Sequence, residues 1–227
     1  TVNVSFDEAS KMLTVAMTNA EIIRPLEVEG LKVTVDLTGE NSITYYGPEY
    51  ALIVNGNLKI KGADKAVDML TVNGLHNSIY ASGALTVENA KLKAQTGADA
   101  PAASAYAFSG AEFIIYAGTD IAVLNSNLLI VCTSDWGSIG LWSDEGNIRI
   151  ADSLVDIDGV SSDVIKSNGI IDIVDSSLIQ SNDKKACGTV LSASGDIVID
   201  NSQIDIDNCS SVVIQAGELN GEVQSED

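Results

Sequence analysis

Asp152 and Asp175 stand at like points of the sequence. Each lies two residues beyond an apolar triplet, IRI at Ile148 and IDI at Ile171, and each is followed by serine. If the chain brings such points together at the strand spacing of about 4.8 Å, two carboxylates face each other and repel. A cation between them, or backbone amides donating to each, relieves that repulsion, and Ca2+ is the hard, oxygen-seeking candidate. Asn and Asp also serve as plain turn formers because they tolerate left-handed backbone angles. That turn reading is the stronger one, since Gly62 stands at an equivalent point. Arg149 and Asp172, the middle residues of the two triplets, would form a cross-strand ion pair worth roughly 0.2–1 kcal/mol. They are the only neighbouring ionisable pair in the series Lys59, Thr86, Ala122, Arg149, Asp172 and Val198.

Sugar recognition needs exposed aromatic rings with polar groups beside them. Most aromatics fall between Tyr45 and Trp142, and Tyr80, Tyr106, Phe108 and Tyr116 are the ligand-binding candidates. Tyr80 is expected to point outward with Ile53 and Ile115 in its column, and Trp142 to point into the core. Such a patch suits a docking protein as well as a glycan. His76, the sole histidine, reads as a surface or turn residue. No Ser-His-Asp set, P-loop or dinucleotide fingerprint occurs. A polysaccharide lyase or glycoside hydrolase would need an acid and a base in a cleft walled by long loops, and most turns here are short. The reading is therefore non-enzymatic.

Those residues are placed by a repeat. Glycines 56, 83, 118, 146, 169, 195 and 217 each follow a short apolar stretch. After most of them comes a strand with apolar first and third residues: LKI, LTV, IAV, IRI, IDI and IVI. Next stand Gly62, Asn89, Asn125, Asp152, Asp175 and Asn201, each followed by Ala or Ser. A further strand then carries Leu92, Leu128, Val155, Leu178 and Ile204. A period in this range signals a repeat architecture whose units stack and bury a continuous column. The predicted fold is all-β: a right-handed, single-stranded parallel β-helix, or β-solenoid, of about 7–8 coils with three short strands each. Residues 1–26, an alternating pair of strands around Asp7–Lys11, read as an N-terminal β-hairpin cap, and 27–227 as the helix in one structural domain. Cys187 and Cys209 each lie eight residues before a repeat glycine, so stacking puts them in adjacent coils within disulfide reach. Two buried thiols are the alternative. An excess of chain near 96–110 reads as an inserted loop, either neutral or part of a binding face.

The chain has 227 residues and a formal net charge of −20, from 32 acids against 12 bases. That balance argues against nucleic acid and anionic lipid as partners. No run of 18 apolar residues exists, so no membrane-inserted helix is expected. The sequence opens at Thr1 with no signal pattern, which reads as a trimmed part of a larger multidomain surface protein.

The hairpin VSFDEASKMLTV, the segments LKVTVDLTGENSI, GNLKIKG and LTVNG, and the repeated IYASGALTVENAKLKA and DVIKSNGIIDIVDSSLI carry a resemblance. They resemble secreted parallel β-helix proteins of Gram-positive gut and cellulose-degrading anaerobes, a carbohydrate-binding-domain family. The likeness spans most of residues 2–217, and its motifs specify coil geometry. It implies an extracellular or cell-wall protein that binds plant or host polysaccharide, with calcium in some relatives. The chain departs from the family's Gly-Gly corners by using Asn-Ser and Asp-Ser. The expected function is a secreted or cell-surface, non-catalytic module that binds carbohydrate or mediates adhesion to a host or cell-surface protein. A ligand-free structural spacer and a polysaccharide-degrading enzyme are the alternatives. No cofactor is required, with Ca2+ the one ion considered.

Overall fold

The computed structural model describes residues 1–97, 112–133, 138–182, 187–209, 211 and 213–217. Every regular element among them is a β-strand, and all pairings but one are parallel. The strands build three faces, each eight rungs deep. The second face stacks Met12–Thr18, the later parts of Leu26–Thr38 and Tyr50–Lys61, then Leu85–Glu88, Ile121–Leu124, Ile148–Ala151, Ile171–Val174 and Ile197–Asp200. The third face runs from Glu21–Ile22 to Gln203–Ile206. This is the parallel β-helix that the repeat predicts.

Alternation dictates which side chains go inside. Leu58, Leu85, Ile121, Ile148, Ile171 and Ile197 stand in one register column. Leu70, Leu92, Leu128, Val155, Leu178 and Ile204 stand in another. All but the last member of each column are buried. Burying such a side chain fully contributes about 1.5–3 kcal/mol before ordering entropy is set against it. At the final rung Ile197 and Ile204 are half-buried, and Ile199 is exposed.

The corner between second and third faces is made by left-handed residues. Asn89, Asn125, Asp152, Asp175 and Asn201 have φ of 51°, 43°, 51°, 48° and 43°. The amides of the first four donate to carbonyls of the next rung, so the corner residues pile along one edge. Gly62 fills the same column but has no left-handed φ; a Cβ there would lie 2.8 Å from the Asn89 carbonyl oxygen. Glycine is needed there for close approach, a different reason from the turn geometry its sequence position implies. The glycines between first and second faces share that logic: a Cβ on Gly118 would stand 2.2 Å from the Ser82 carbonyl oxygen.

At the N-terminus Val2–Asp7 pairs antiparallel with Met12–Thr18. Met12–Thr18 also lies parallel on Leu26–Thr38, so it is already a rung. Among the described residues no helix is long and apolar enough to cross a membrane.

Candidate functional site: an aromatic row on the first face

The first face comprises the early parts of Leu26–Thr38 and Tyr50–Lys61, then Asn77–Ala81, Glu112–Ala117, Ser138–Ser143, Ile165–Ser167, Leu191–Ala193 and Ile214–Gln215. Its inward column is Leu52, Ile79, Ile115, Leu141, Ile165 and Leu191. The next residue on each rung points out, giving Ile53, Tyr80, Tyr116, Trp142, Lys166 and Ser192. Trp142 therefore belongs to the outer row, not the core, and Ile115 is core rather than a neighbour of Tyr80. The physical reason is a corner of variable length. Two residues separate Ile115 from Gly118, three separate Ile79 from Gly83, and four separate Leu141 from Gly146. Counting back a fixed distance from glycine misaligns those two rungs.

The rings form a continuous row. Tyr50 and Tyr80 lie 5.3 Å apart between centroids, Tyr80 and Tyr116 5.2 Å, and Tyr116 and Trp142 5.3 Å. Tyr80 and Tyr116 are stacked with 3° between planes, whereas Trp142 stands edge-on to Tyr116 at 87°. Phe113 packs 4.6 Å from Trp142, and the Lys166 ammonium sits 5.8 Å from the Trp142 ring, a cation–π contact. All five rings are half-buried. The Tyr116 hydroxyl donates to Asp144 Oδ2 at 2.8 Å. Burial, then that carboxylate, pushes the Tyr116 phenol up to about 12. Burial, with Tyr116 and Tyr80 beside it, holds the Tyr50 phenol well above its usual range.

Of the four aromatic candidates, the fold brings Tyr80 and Tyr116 together; Tyr106 and Phe108 lie outside the described residues. Phe113, Trp142, Lys166 and Asp144 escaped sequence reasoning. The signal for Trp142 was its place immediately after the apolar Leu141.

The other sequence candidates sit elsewhere. Asp152 and Asp175 occupy successive rungs of the left-handed corner. Asp175 Oδ1 accepts from Asn201 Nδ2 at 2.5 Å. Lys65, from the turn at 63–68, donates to Asn125 Oδ1 at 2.8 Å and reaches the Asp152 carbonyl oxygen at 3.4 Å. Among the described residues no three His, Cys, Asp or Glu side chains converge as a metal set. Arg149 Nη1 and Asp172 Oδ2 form the expected ion pair at 2.6 Å, in a shallow hollow with Asp120, Asn147 and Ile170. Lys61 pairs with Asp36 at 3.0 Å and Lys59 with Glu88 on the same face. Such exposed pairs contribute about 0–1 kcal/mol each. His76 is buried in the turn before Asn77–Ala81, so it is a turn residue but not a surface one. Cys187 and Cys209 are bridge partners on adjacent rungs.

No protein-family model, no curated protein and no solved structure matches this chain.

Proposed function

We propose that the protein is a secreted or cell-surface, non-catalytic recognition module whose aromatic row binds an extended, neutral polysaccharide. The observation that carries this reading is the ring spacing of 5.3, 5.2 and 5.3 Å along the row. That repeat is close to the advance per sugar unit in an extended β-linked glycan. A chain laid along the row meets one aromatic rung per sugar. Because Tyr80 and Tyr116 stack on each other, the sugars meet ring edges and tyrosine hydroxyls rather than an open ring face. Each such contact is weak, and affinity grows through repetition along the chain. Asp144 and Lys166 supply the polar rim. A net charge of −20 disfavours uronate-rich polymers, which is why the ligand is neutral. The resemblance of the coils to secreted β-helix proteins supports the extracellular setting.

The test is binding of neutral β-linked oligosaccharides of increasing length by calorimetry. Affinity rises with length, and Tyr80→Ala or Trp142→Ala lowers it at least tenfold while the circular dichroism spectrum is kept. Absence of binding to any neutral glycan rejects the reading. One observation favours a ligand-free spacer instead: the stacked rings and the lysine over Trp142 already occupy one another's faces. For a spacer, Tyr80→Ala lowers the melting temperature and no glycan is bound by either form.

A further inference from the structure

Cys187 and Cys209 lie opposite each other near the C-terminal end, as an isolated pair of parallel bridge residues. Opposed residues on neighbouring strands have Cα atoms about 4.8 Å apart, inside the disulfide window of about 4.4–6.8 Å. Their sulfurs lie on the same side. Cys209 Sγ donates to the Gly188 carbonyl oxygen at 3.0 Å and lies 3.5 Å from that of Cys187, with the Cys187 thiol beside it. Cys187 is fully buried and Cys209 half-buried. Both are thiols in this structure, as is Cys132 at the end of Asn127–Cys132 on the third face.

We propose that Cys187 and Cys209 close a disulfide under oxidising conditions, turning one whole coil into a covalent ring that clamps the C-terminal end of the solenoid. The oxidant is a low-molecular-weight disulfide of the glutathione class. Cys209, the more accessible thiol, loses its proton and attacks one sulfur of the oxidant. A mixed disulfide forms and one glutathione thiol leaves. Cys187 then loses its proton and attacks Cys209 Sγ, expelling the second glutathione thiol. Two protein thiols give up two electrons and two protons, and the oxidant's disulfide is reduced to two thiols. Burial, with Cys209 beside it, pushes the Cys187 thiol of the reduced pair up to about 12, so Cys209 is the one to open the exchange.

The place of the pair gives the bond its purpose. In a solenoid each coil contacts only its neighbours, so opening starts at an end. Among the described residues, Ile199, Val213 and Ile214 beside the pair are 38%, 40% and 45% exposed, so apolar contacts around it are sparse. A cross-link across the last coils restricts the frayed state more than the folded one.

The experiment equilibrates the folded full chain with mixed oxidised and reduced glutathione. Remaining thiols are then alkylated in denaturant and the peptides mapped by mass. The expected result is a Cys187–Cys209 linked peptide with Cys132 alkylated. The oxidised chain is cut in its C-terminal coils at least tenfold more slowly than the reduced chain under limited proteolysis. Cys209→Ser, a change at a half-buried site, loses both the link and the protection, whereas Cys132→Ser keeps both. Cys209 ending as a stable glutathione adduct overturns the proposal. So does a link that involves Cys132, or a Cys187–Cys209 link that leaves cutting unchanged.

Discussion

At the scale of single residues, the stability of the helix rests on how each corner amide finds an acceptor. Ser126, Ser153, Ser176 and Ser202 form a ladder beside the left-handed corner. The amides of Ser126, Ser153 and Ser176 donate to the hydroxyl oxygen of the next serine at 3.1, 3.1 and 3.0 Å. The hydroxyls donate in turn to carbonyls two residues back, as Ser153 does to Ala151 at 2.6 Å. Each hydroxyl therefore satisfies two backbone groups, which only a side chain that both donates and accepts can do. Ser153→Ala leaves the Ser126 amide orphaned and is expected to cost about 1–3 kcal/mol. Urea unfolding with an unchanged m-value checks it. Upstream the ladder lacks a rung, because Ala90 carries no hydroxyl for the amide of Ala63. Asp68 takes over there, its carboxylate accepting from the amides of Gly39 at 2.9 Å, Ala63 at 2.8 Å and Asp64 at 3.0 Å. The Gly39 amide, then those of Asp64 and Ala63, hold its carboxyl below the usual range against the opposing effect of burial. The folded pKa lies below the unfolded one, so the stabilisation is present above the unfolded value of about 3.9 and is lost as pH falls through the folded value. Asp68→Asn is expected to cost about 1.5–3 kcal/mol at pH 7. Its stability also falls less steeply than the parent's below about pH 4, read from urea midpoints across an acid pH series.

At the scale of elements, corner and strand divide the work, and they differ in how far the sequence reveals them. Asn125 adopts φ of 43°, donates from Nδ2 to Asn89 Oδ1 at 2.7 Å and accepts from Lys65. A Cβ-bearing residue without a turn-forming side chain is disfavoured there by about 1–2 kcal/mol. Asn125→Ala should therefore lower the urea midpoint clearly, and Asn125→Gly, which restores the backbone freedom, should recover most of the loss. The second and third faces were legible because an Asx-Ser or Asx-Ala pair follows each second-face strand from Leu85–Glu88 to Ile197–Asp200 at a constant distance from its apolar residues. The Asn, Asp and Ser types also state their own turn chemistry. The first face was only half legible. Its corner toward the second face varies by one residue either way, so a fixed count from glycine put Trp142 in the core and Ile115 outside. Tyr80 was legible as an outward aromatic, whereas Tyr116 was legible only as one of a cluster of aromatics. Phe113, Lys166 and Asp144 were not, because their roles come from contacts across rungs that no local period encodes. Lys65 is hidden for the same reason: its acceptor on Asn125 lies 60 residues away in sequence. The Arg149–Asp172 pair, by contrast, follows from strand register alone.

At the scale of the whole molecule, the parallel β-helix is a one-dimensional stack with charge spread unevenly along it. Residues 152–227 carry 15 acids against three lysines. The consequence shows on the third face, where burial, then the neighbouring Asp158, holds the Asp156 carboxyl above its usual range. Like charges at strand spacing repel, and each coil is held only by its neighbours. Repulsion therefore acts most strongly in the C-terminal coils. Salt screens exposed charges over a Debye length that shrinks from about 30 Å at 0.01 M to about 10 Å at 0.1 M. Raising sodium chloride across that range is expected to lift the melting temperature by several degrees. In hydrogen exchange the gain in protection should concentrate in the strands from Ile171–Val174 to Gln203–Ile206 and be small in Leu58–Ile130. Calcium chloride at matched ionic strength separates screening from a bound ion. Two corner carboxylates, one already engaged by Asn201, fall short of the roughly six to eight oxygens that Ca2+ takes. Equal melting temperatures in the two salts are therefore expected. A calcium surplus that disappears in Asp152→Asn would instead assign a cation to the Asp152–Asp175 corner.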